Sequence, residues 1–423
     1  MMTKFFFTLS LINFFFILQL VSCQNSSAGS NIKLPQNIVN VTTIKKPAID
    51  TLKIVIGAEQ ADKYLDYLKN KKVGLVVNQS SLVGNKHLLD FLLEKQINVK
   101  KIFAPEHGFR GDADRGAHIS NTVDDSTGID IVSIFGTQRK PTKEQLADLD
   151  IIIFDIQDVG VRFFTYISSM HNMMEICAET GKEFMVLDRP NPLGDYIDGP
   201  VRKEKYKSFV GMHPIPIVHG LTVGELALMI NGEKWLQNGI QVKLTVIKVA
   251  NYKHSDIWKL QVKPSPNLTN HISIRLYPSL CLFEATSVSV GRGTEFPFQV
   301  LGYPDSTFGD FIFTPVDKTG METNPLHENK KCYGIDLRTQ PENSTFTLKY
   351  FIEFYKKFPD KKTFLTRSNW LNLLMGDDRL IGQIESGISE EQIKQSWDKE
   401  LNEYKELRKK YLLYEGISKN SKI

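Results

Sequence analysis

The chain has 423 residues, 41% hydrophobic and 24% charged, with 28 Gly and 18 Pro, an ordinary globular composition that can bury a large core without staples. Its 52 Lys and Arg against 48 Asp and Glu leave a formal net charge of +4, so no nucleic-acid partner is implied. The length favours two domains over one.

Residues 5–20 form an apolar run behind Lys4, broken only by Thr8, Ser10, Asn13 and Gln19. Residues 1–22 therefore have the layout of a secretory signal segment. The run ends in Leu20-Val21-Ser22-Cys23, which resembles the lipobox of bacterial lipoproteins, where the cysteine is lipidated. An uncleaved membrane helix is the competing expectation, since the run approaches the length of a bilayer span. Small Ser22 directly before Cys23 favours the lipoprotein. The expected location is the cell envelope, lipid-anchored on the periplasmic or outer-membrane side. Residues 23–50 are rich in Asn, Ser, Thr and Lys and read as a tether. The other cysteines, Cys177, Cys281 and Cys332, are widely spaced and suit neither a disulfide framework nor a metal site.

From Thr51 short apolar runs alternate with amphipathic segments of helix length. The runs are residues 73–77, 101–104, 131–134, 151–154, 184–187 and 215–218, and the helices include 86–95, 165–180 and 222–231. Continuous apolar strands with intervening helices predict a parallel sheet covered on both faces, an α/β Rossmann-like doubly wound domain over residues 51–270. Residues 271–423 are expected to form a second, smaller α+β domain. In it 272–276 and 282–290 read as strands, 304–345 as loosely patterned chain, and 348–414 as mostly helical. Alternating charges from Lys399 to Lys410, Arg408 among them, read as a solvated helix face.

Polar residues gather after the predicted strands: Asn78-Gln79-Ser80, Pro105-Glu106-His107-Gly108, Asp155-Ile156-Gln157-Asp158, Asp188-Arg189-Pro190-Asn191 and His219-Gly220. In open α/β sheets the ligand crevice lies outside those carboxyl ends. Dinucleotide-binding and Walker A loops are absent, as is the nucleophile elbow of α/β hydrolases. No cofactor and no metal are expected; Glu106 and His107 are adjacent, a poor arrangement for ligating one ion. Glycosidic cleavage uses two carboxyl groups, one as acid and one ionised. Glu106 is the leading acid, in a short turn after a buried strand and Pro105, with His107 beside it. Asp155, Asp158 and Glu284 are candidate partners. Each carboxylate has a structural alternative: Glu106 pairing with Arg110 or Arg115, Asp155 capping a helix, Asp158 pairing with Arg162. Asn191, Asn267 and His219 are candidate substrate hydrogen-bonding residues, with turn chemistry as the alternative. Arg292, between two glycines, is a candidate carboxylate clamp.

These residues fall in motifs that resemble the NamZ-type exo-β-N-acetylmuramidases. The motifs are Ala104-Pro-Glu-His-Gly-Phe-Arg-Gly111, Phe154-Asp-Ile-Gln-Asp-Val-Gly-Val-Arg-Phe-Phe-Thr-Tyr-Ile167, Leu187-Asp-Arg-Pro-Asn-Pro192 and His219-Gly-Leu-Thr-Val-Gly-Glu-Leu226. Pro264-Ser-Pro-Asn267, Leu282-Phe-Glu-Ala-Thr286, Val290-Gly-Arg-Gly-Thr294 and Arg408-Lys-Lys-Tyr-Leu-Leu-Tyr414 follow in family order. Arg110, Arg162, Tyr166 and Thr294 lie in them and complete the candidate substrate-binding set. The resemblance implies removal of N-acetylmuramic acid from non-reducing ends of peptidoglycan fragments, in a cleft between a Rossmann-like domain and a smaller second domain. It also implies that Glu106 is the leading catalytic candidate. Two other readings remain open: a catalytically silent muropeptide-binding lipoprotein, and a metal-dependent envelope amidase or deacetylase.

Overall fold

The computed structural model describes residues 52–109 and 121–416; the signal segment, Cys23, the tether and Arg110 lie outside them. The strands are β1 (Val73–Val77), β2 (Leu82–Val83), β3 (Lys86–His87), β4 (Val99–Ala104), β5 (Thr122–Val123) and β6 (Asp130–Ser133). They continue with β7 (Ile151–Asp155), β8 (Glu183–Leu187), β9 (Lys243–Ile247), β10 (Val300–Tyr303), β11 (Phe311–Phe313) and β12 (Cys332–Asp336). Seven form one sheet in the order β5-β6-β4-β1-β7-β8-β9, parallel throughout except for the short edge strand β5. Leaving β5 aside, the parallel strands run 3-2-1-4-5-6, the dinucleotide-fold order that reverses direction between β1 and β7.

Both faces of this sheet are covered, which is why its central strands β1, β7 and β8 carry continuous apolar runs. Successive residues point to opposite faces. Val76, Ile152, Phe154 and Phe184 join one core cluster, with Met170 and Met174 of the helix Tyr166–Thr180. Leu75, Val77, Ile151, Ile153 and Met185 join the other, with Leu88, Leu89 and Leu92 of the helix Leu88–Glu94. The helix Val223–Gly232 begins at a capping box in which Thr222 and Glu225 satisfy each other's backbone N–H groups.

Several expectations need correction. Residues 215–218 are not a strand: Pro214 and Pro216 remove donors, and only Val218 makes bridges, to Val161 and Asp198. The sixth parallel strand is β9 instead. It is an edge strand with alternating exposure, so its sequence lacks a continuous apolar run. Residues 272–276 and 282–290 are not strands either. Residues 272–276 lie in the helix His271–Leu280 and 282–285 in the 3-10 turn Cys281–Ala285, and 286–290 are irregular apart from a bridge from Ser289 to Gly302. The every-second-residue pattern of Ile272, Ile274 and Leu276 mimics a strand, but Asn270 caps the helix through a reciprocal bond with Ser273. In place of those strands the smaller C-terminal part carries the antiparallel sheet β10-β12-β11 and helices beginning with Lys349–Lys357.

The last helix, Asp398–Arg408, and the segment after it return to the large sheet. Tyr404 donates its hydroxyl to His219 O (2.7 Å), and Tyr414 donates to the Asp188 carboxylate (2.5 Å). Leu413 N–H donates to Glu225 (2.8 Å). Arg408, expected on a solvated face, is 5% exposed and donates to Gly220 O.

Candidate active site

The turn that carries Glu106 is under backbone constraint. Gly108 N–H donates to Pro105 O (3.0 Å), and His107 and Gly108 both sit at positive φ, 69° and 77°. Gly takes this region freely; for His107 it costs energy, and such strain collects at functional sites. The turn aims Glu106, half-buried, at the start of the helix Tyr166–Thr180. Thr165 occupies the N-cap position but makes no capping bond with its side chain. Its hydroxyl instead donates to Glu106 Oε2 at 3.0 Å, which leaves Oε1 for other contacts. Tyr166 is buried, donates to Pro264 O (3.1 Å), and has its hydroxyl pKa pushed well up, first by burial and then by the Glu106 charge.

These groups open into a cavity of about 610 Å³ beyond the carboxyl ends of β4 and β7. Six residues singled out in the sequence line it: Glu106, His107, Tyr166, Asn267, Glu284 and Arg292. Among the described lining residues, Glu106 and Glu284 are the two carboxylates. Asn267 donates Nδ2 to Met321 O (2.8 Å), and its buried Oδ1 has no hydrogen-bond partner among the described residues. An orphaned buried acceptor on a cavity wall is a place for a ligand N–H.

Arg292 does not stand ready to clamp a ligand. One nitrogen reaches Glu284 Oε1 at 2.6 Å, another reaches Glu322 Oε2 at 3.1 Å, and the plane lies 4.8 Å over the Phe298 ring. Burial works against its charge, but the two glutamates outweigh burial and hold its pKa above the usual value. Thr294 serves the turn that presents Arg292, donating to Gly291 O (2.6 Å) and accepting from Phe296 N.

The remaining candidates face elsewhere. Asp155 is fully buried and binds Arg189 through both oxygens, at 2.6 and 2.9 Å. Asp158 accepts from Gly160 N–H (2.6 Å) and lies 3.8 Å from His219, not against Arg162. His219 accepts from Leu221 N–H through Nδ1. Asn191 is turn chemistry, accepting from Leu193 N–H (2.8 Å) and donating to Leu221 O (2.9 Å). Arg162 is fully buried and donates to Pro200 O, Ile215 O and Leu374 O at 2.7–2.8 Å. Burial, helped by the Arg202 charge and opposed by Asp377, brings its pKa down to about 9. Arg110 lies outside the described residues.

Among the lining residues that escaped the sequence reading, Arg139, Arg367 and Trp370 bear most on ligand chemistry. Arg139 and Arg367 are exposed and make no ion pair among the described residues; they lie 4.4 Å over Phe209 and 5.0 Å over Trp370. Trp370 has a buried Nε1 without a hydrogen-bond partner among the described residues. No recognised motif contains any of the three. A group of three or more His, Cys, Asp or Glu placed to hold a metal is absent among the described residues.

Two family models match the chain. Residues 73–272 fit the N-terminal part of exo-β-N-acetylmuramidase NamZ, and residues 275–414 fit its C-terminal part. The chain is 37% identical over 394 residues to the peptidoglycan β-N-acetylmuramidase NamZ of Bacillus subtilis (strain 168), covering 88% of this chain and 93% of that protein. It is also similar to two crystal structures of DUF1343 family proteins from Bacteroides fragilis NCTC 9343. One has TM-score 0.79 and 46% identity, the other 0.74 and 30%, each covering 86% of this chain and 99% of its own.

Proposed function

The chain belongs to the NamZ family of exo-β-N-acetylmuramidases and is a glycoside hydrolase; from that premise we propose how it releases N-acetylmuramic acid from the non-reducing ends of peptidoglycan fragments. Glu106 protonates the leaving glycosidic oxygen through Oε1, with Thr165 holding Oε2. Glu284 is its partner carboxylate. The observation that carries this assignment is that these two carboxylates, and not Asp155 or Asp158, line the cavity. Ion-paired to Arg292, Glu284 offers negative charge to an oxocarbenium-like centre or to an attacking water. Arg139 and Arg367 read the lactyl carboxylate that distinguishes muramic acid from glucosamine. The orphaned Asn267 Oδ1 accepts from the acetamido N–H, and Trp370 supplies an aromatic wall for the sugar.

Further, we propose that Cys23, outside the described residues, carries lipid and holds the enzyme in the cell envelope on its tether. Replacing Cys23 with Ser should move the protein from the detergent phase to the aqueous phase on partition; no change would remove the anchor from the account.

The test of the reaction is hydrolysis of an aryl β-N-acetylmuraminide beside the matching glucosaminide, with and without chelator. Release from the muraminide alone, unaffected by chelator, is the expected result. No hydrolysis, with muropeptides still bound, would make the chain a binding protein. Chelator sensitivity would point to a metal-dependent reaction.

A further inference from the structure

A second cavity, of about 320 Å³, opens at the point where the large sheet reverses direction. Ser80 and Leu82 follow β1, Gln157 follows β7 and Arg189 follows β8, so this cavity sits at the carboxyl edge of the switch point, the place where open α/β sheets bind ligands. It is separate from the cavity that holds Glu106. Residues 257–262 wall this second cavity, and residues 265–268 help wall the first. Between them the chain is pinned. Gln79 Nε2 donates to Lys263 O (2.9 Å) and Pro264 O (3.3 Å), and the Tyr166 hydroxyl also donates to Pro264 O.

The chemistry of the second cavity is that of an anion site with apolar sides. The Arg189 side chain is 6% exposed, and Asp155 fixes its orientation through Nε and Nη2. Its Nη2 also donates to Leu82 O (3.1 Å), but its Nη1 has no hydrogen-bond partner among the described residues. A guanidinium nitrogen with no protein partner among the described residues, open to a cavity, is a donor that a ligand can reach. Lys53, exposed on the same rim, makes no ion pair among the described residues. Glu59 is the one carboxylate in the lining, and Asp155 behind the wall balances the Arg189 charge, so what the cavity offers an anion is directed donors, Arg189 Nη1 and the Lys53 ammonium, rather than an excess of positive charge. The Trp258 ring stands over it, with its indole N–H directed to Gln157 Oε1 (3.4 Å), and Ile257 beside it is 62% exposed.

We propose that this cavity is a second binding site for a carboxylate carried on a sugar or short-peptide frame, with Arg189 Nη1 and Lys53 taking the carboxylate and Trp258 the frame. The identity of the ligand rests on the muramidase reading. In a peptidoglycan fragment the carboxylate has two sources, the lactyl group of N-acetylmuramic acid and the acidic residues of the stem peptide.

The experiment is calorimetric titration of the purified protein with N-acetylmuramic acid, with L-alanyl-D-glutamate and with N-acetylglucosamine, repeated on Lys53→Glu and Trp258→Ala. If the lactyl group is the source, N-acetylmuramic acid binds at two sites in wild type and each variant weakens one of them about tenfold, the cost of one charge-assisted contact or one stacking wall. If the stem peptide is the source, L-alanyl-D-glutamate binds at one site that the same variants weaken. N-acetylglucosamine should not occupy the site. Both variants should hydrolyse the aryl muraminide within twofold of wild type. Binding that neither variant alters, or no binding of either carboxylate outside the Glu106 cavity, would overturn the proposal. Hydrolysis by wild type is scored separately, so loss of the second site would leave the muramidase reading standing.

Discussion

Glu106→Gln removes a proton donor while leaving almost everything around it in place. The amide has the size of the carboxyl group, and its oxygen can still accept from the Thr165 hydroxyl, now 3.0 Å from Oε2. What that bond loses by becoming neutral is about 1 kcal/mol, so KM should move by no more than about fivefold. The loss in the bond-breaking step is far larger when the departing group is a sugar, whose oxygen leaves poorly without a proton. A missing general acid there costs roughly 10²- to 10⁴-fold, or about 2.7–5.5 kcal/mol of barrier. An aryl group bearing nitro substituents leaves as a stable phenolate, so its loss should stay below about tenfold. Single-turnover kinetics on the disaccharide and on the aryl muraminide isolate this step. Equal losses on both substrates, or a loss confined to KM, would refute the acid role, since an acid acts only in the transition state.

Thr165→Val, which frees Glu106 Oε2, should lower kcat by about 5- to 30-fold with little change in KM or melting temperature, the effect of one positioning bond of about 1–2 kcal/mol. Arg139→Ala and Arg367→Ala should each raise KM for muraminides about tenfold and leave glucosaminide binding unchanged; equal effects on both sugars would move the carboxylate clamp elsewhere. Glu175 is held down to about pKa 2, chiefly by His171, with Lys140 and Gln237 N–H adding to the effect against burial. Its folded-state value lies below the unfolded one, so its stabilisation is complete above about pH 4.5 and drains away as pH falls towards 2. With screening, that is about 1–2 kcal/mol, and Glu175→Gln should flatten the melting temperature across that window. Gly160→Ala should cost about 2–4 kcal/mol in denaturant titration. Gly160 has φ of 78°, and a Cβ there would meet Asn191 Oδ1 at 2.2 Å.

Much of the large sheet could be read from the residues because burial on both faces gives β1, β7 and β8 continuous apolar runs, interrupted only at the ends by Asp155 and Glu183. β9 was hidden by being half exposed, and the helix at Asn270 by a run whose spacing fits a strand. At the site, the position of Glu106 on the cavity was legible because its turn directly follows a buried strand, at the carboxyl edge where the crevice of such sheets lies. The neighbouring motifs misdirected the reading for a physical reason. A sheet edge closed by buried loops must satisfy its own polar groups, and Asp155, Asp158, Asn191 and His219 do this with Arg189, Gly160 N–H, Leu193 N–H and Leu221 N–H. Asp and Asn that close a loop look the same in sequence as Asp and Asn that await a ligand. Arg139, Arg367 and Trp370 reach the cavity only through tertiary packing, and no local pattern marks them.

The return of Tyr404, Leu413 and Tyr414 to the large sheet also sets an order of events during synthesis. The Asp188 carboxylate is made 226 residues before the hydroxyl of Tyr414, and His219 O is made 185 residues before that of Tyr404. A nascent chain that has finished all seven strands of the sheet therefore still lacks the donors for groups at its carboxyl edge. Until the final segment leaves the ribosome, those buried acceptors have to stay near water, and the domain has to stay partly open. A stop codon in place of Leu413 should then yield aggregated protein, although every strand is present.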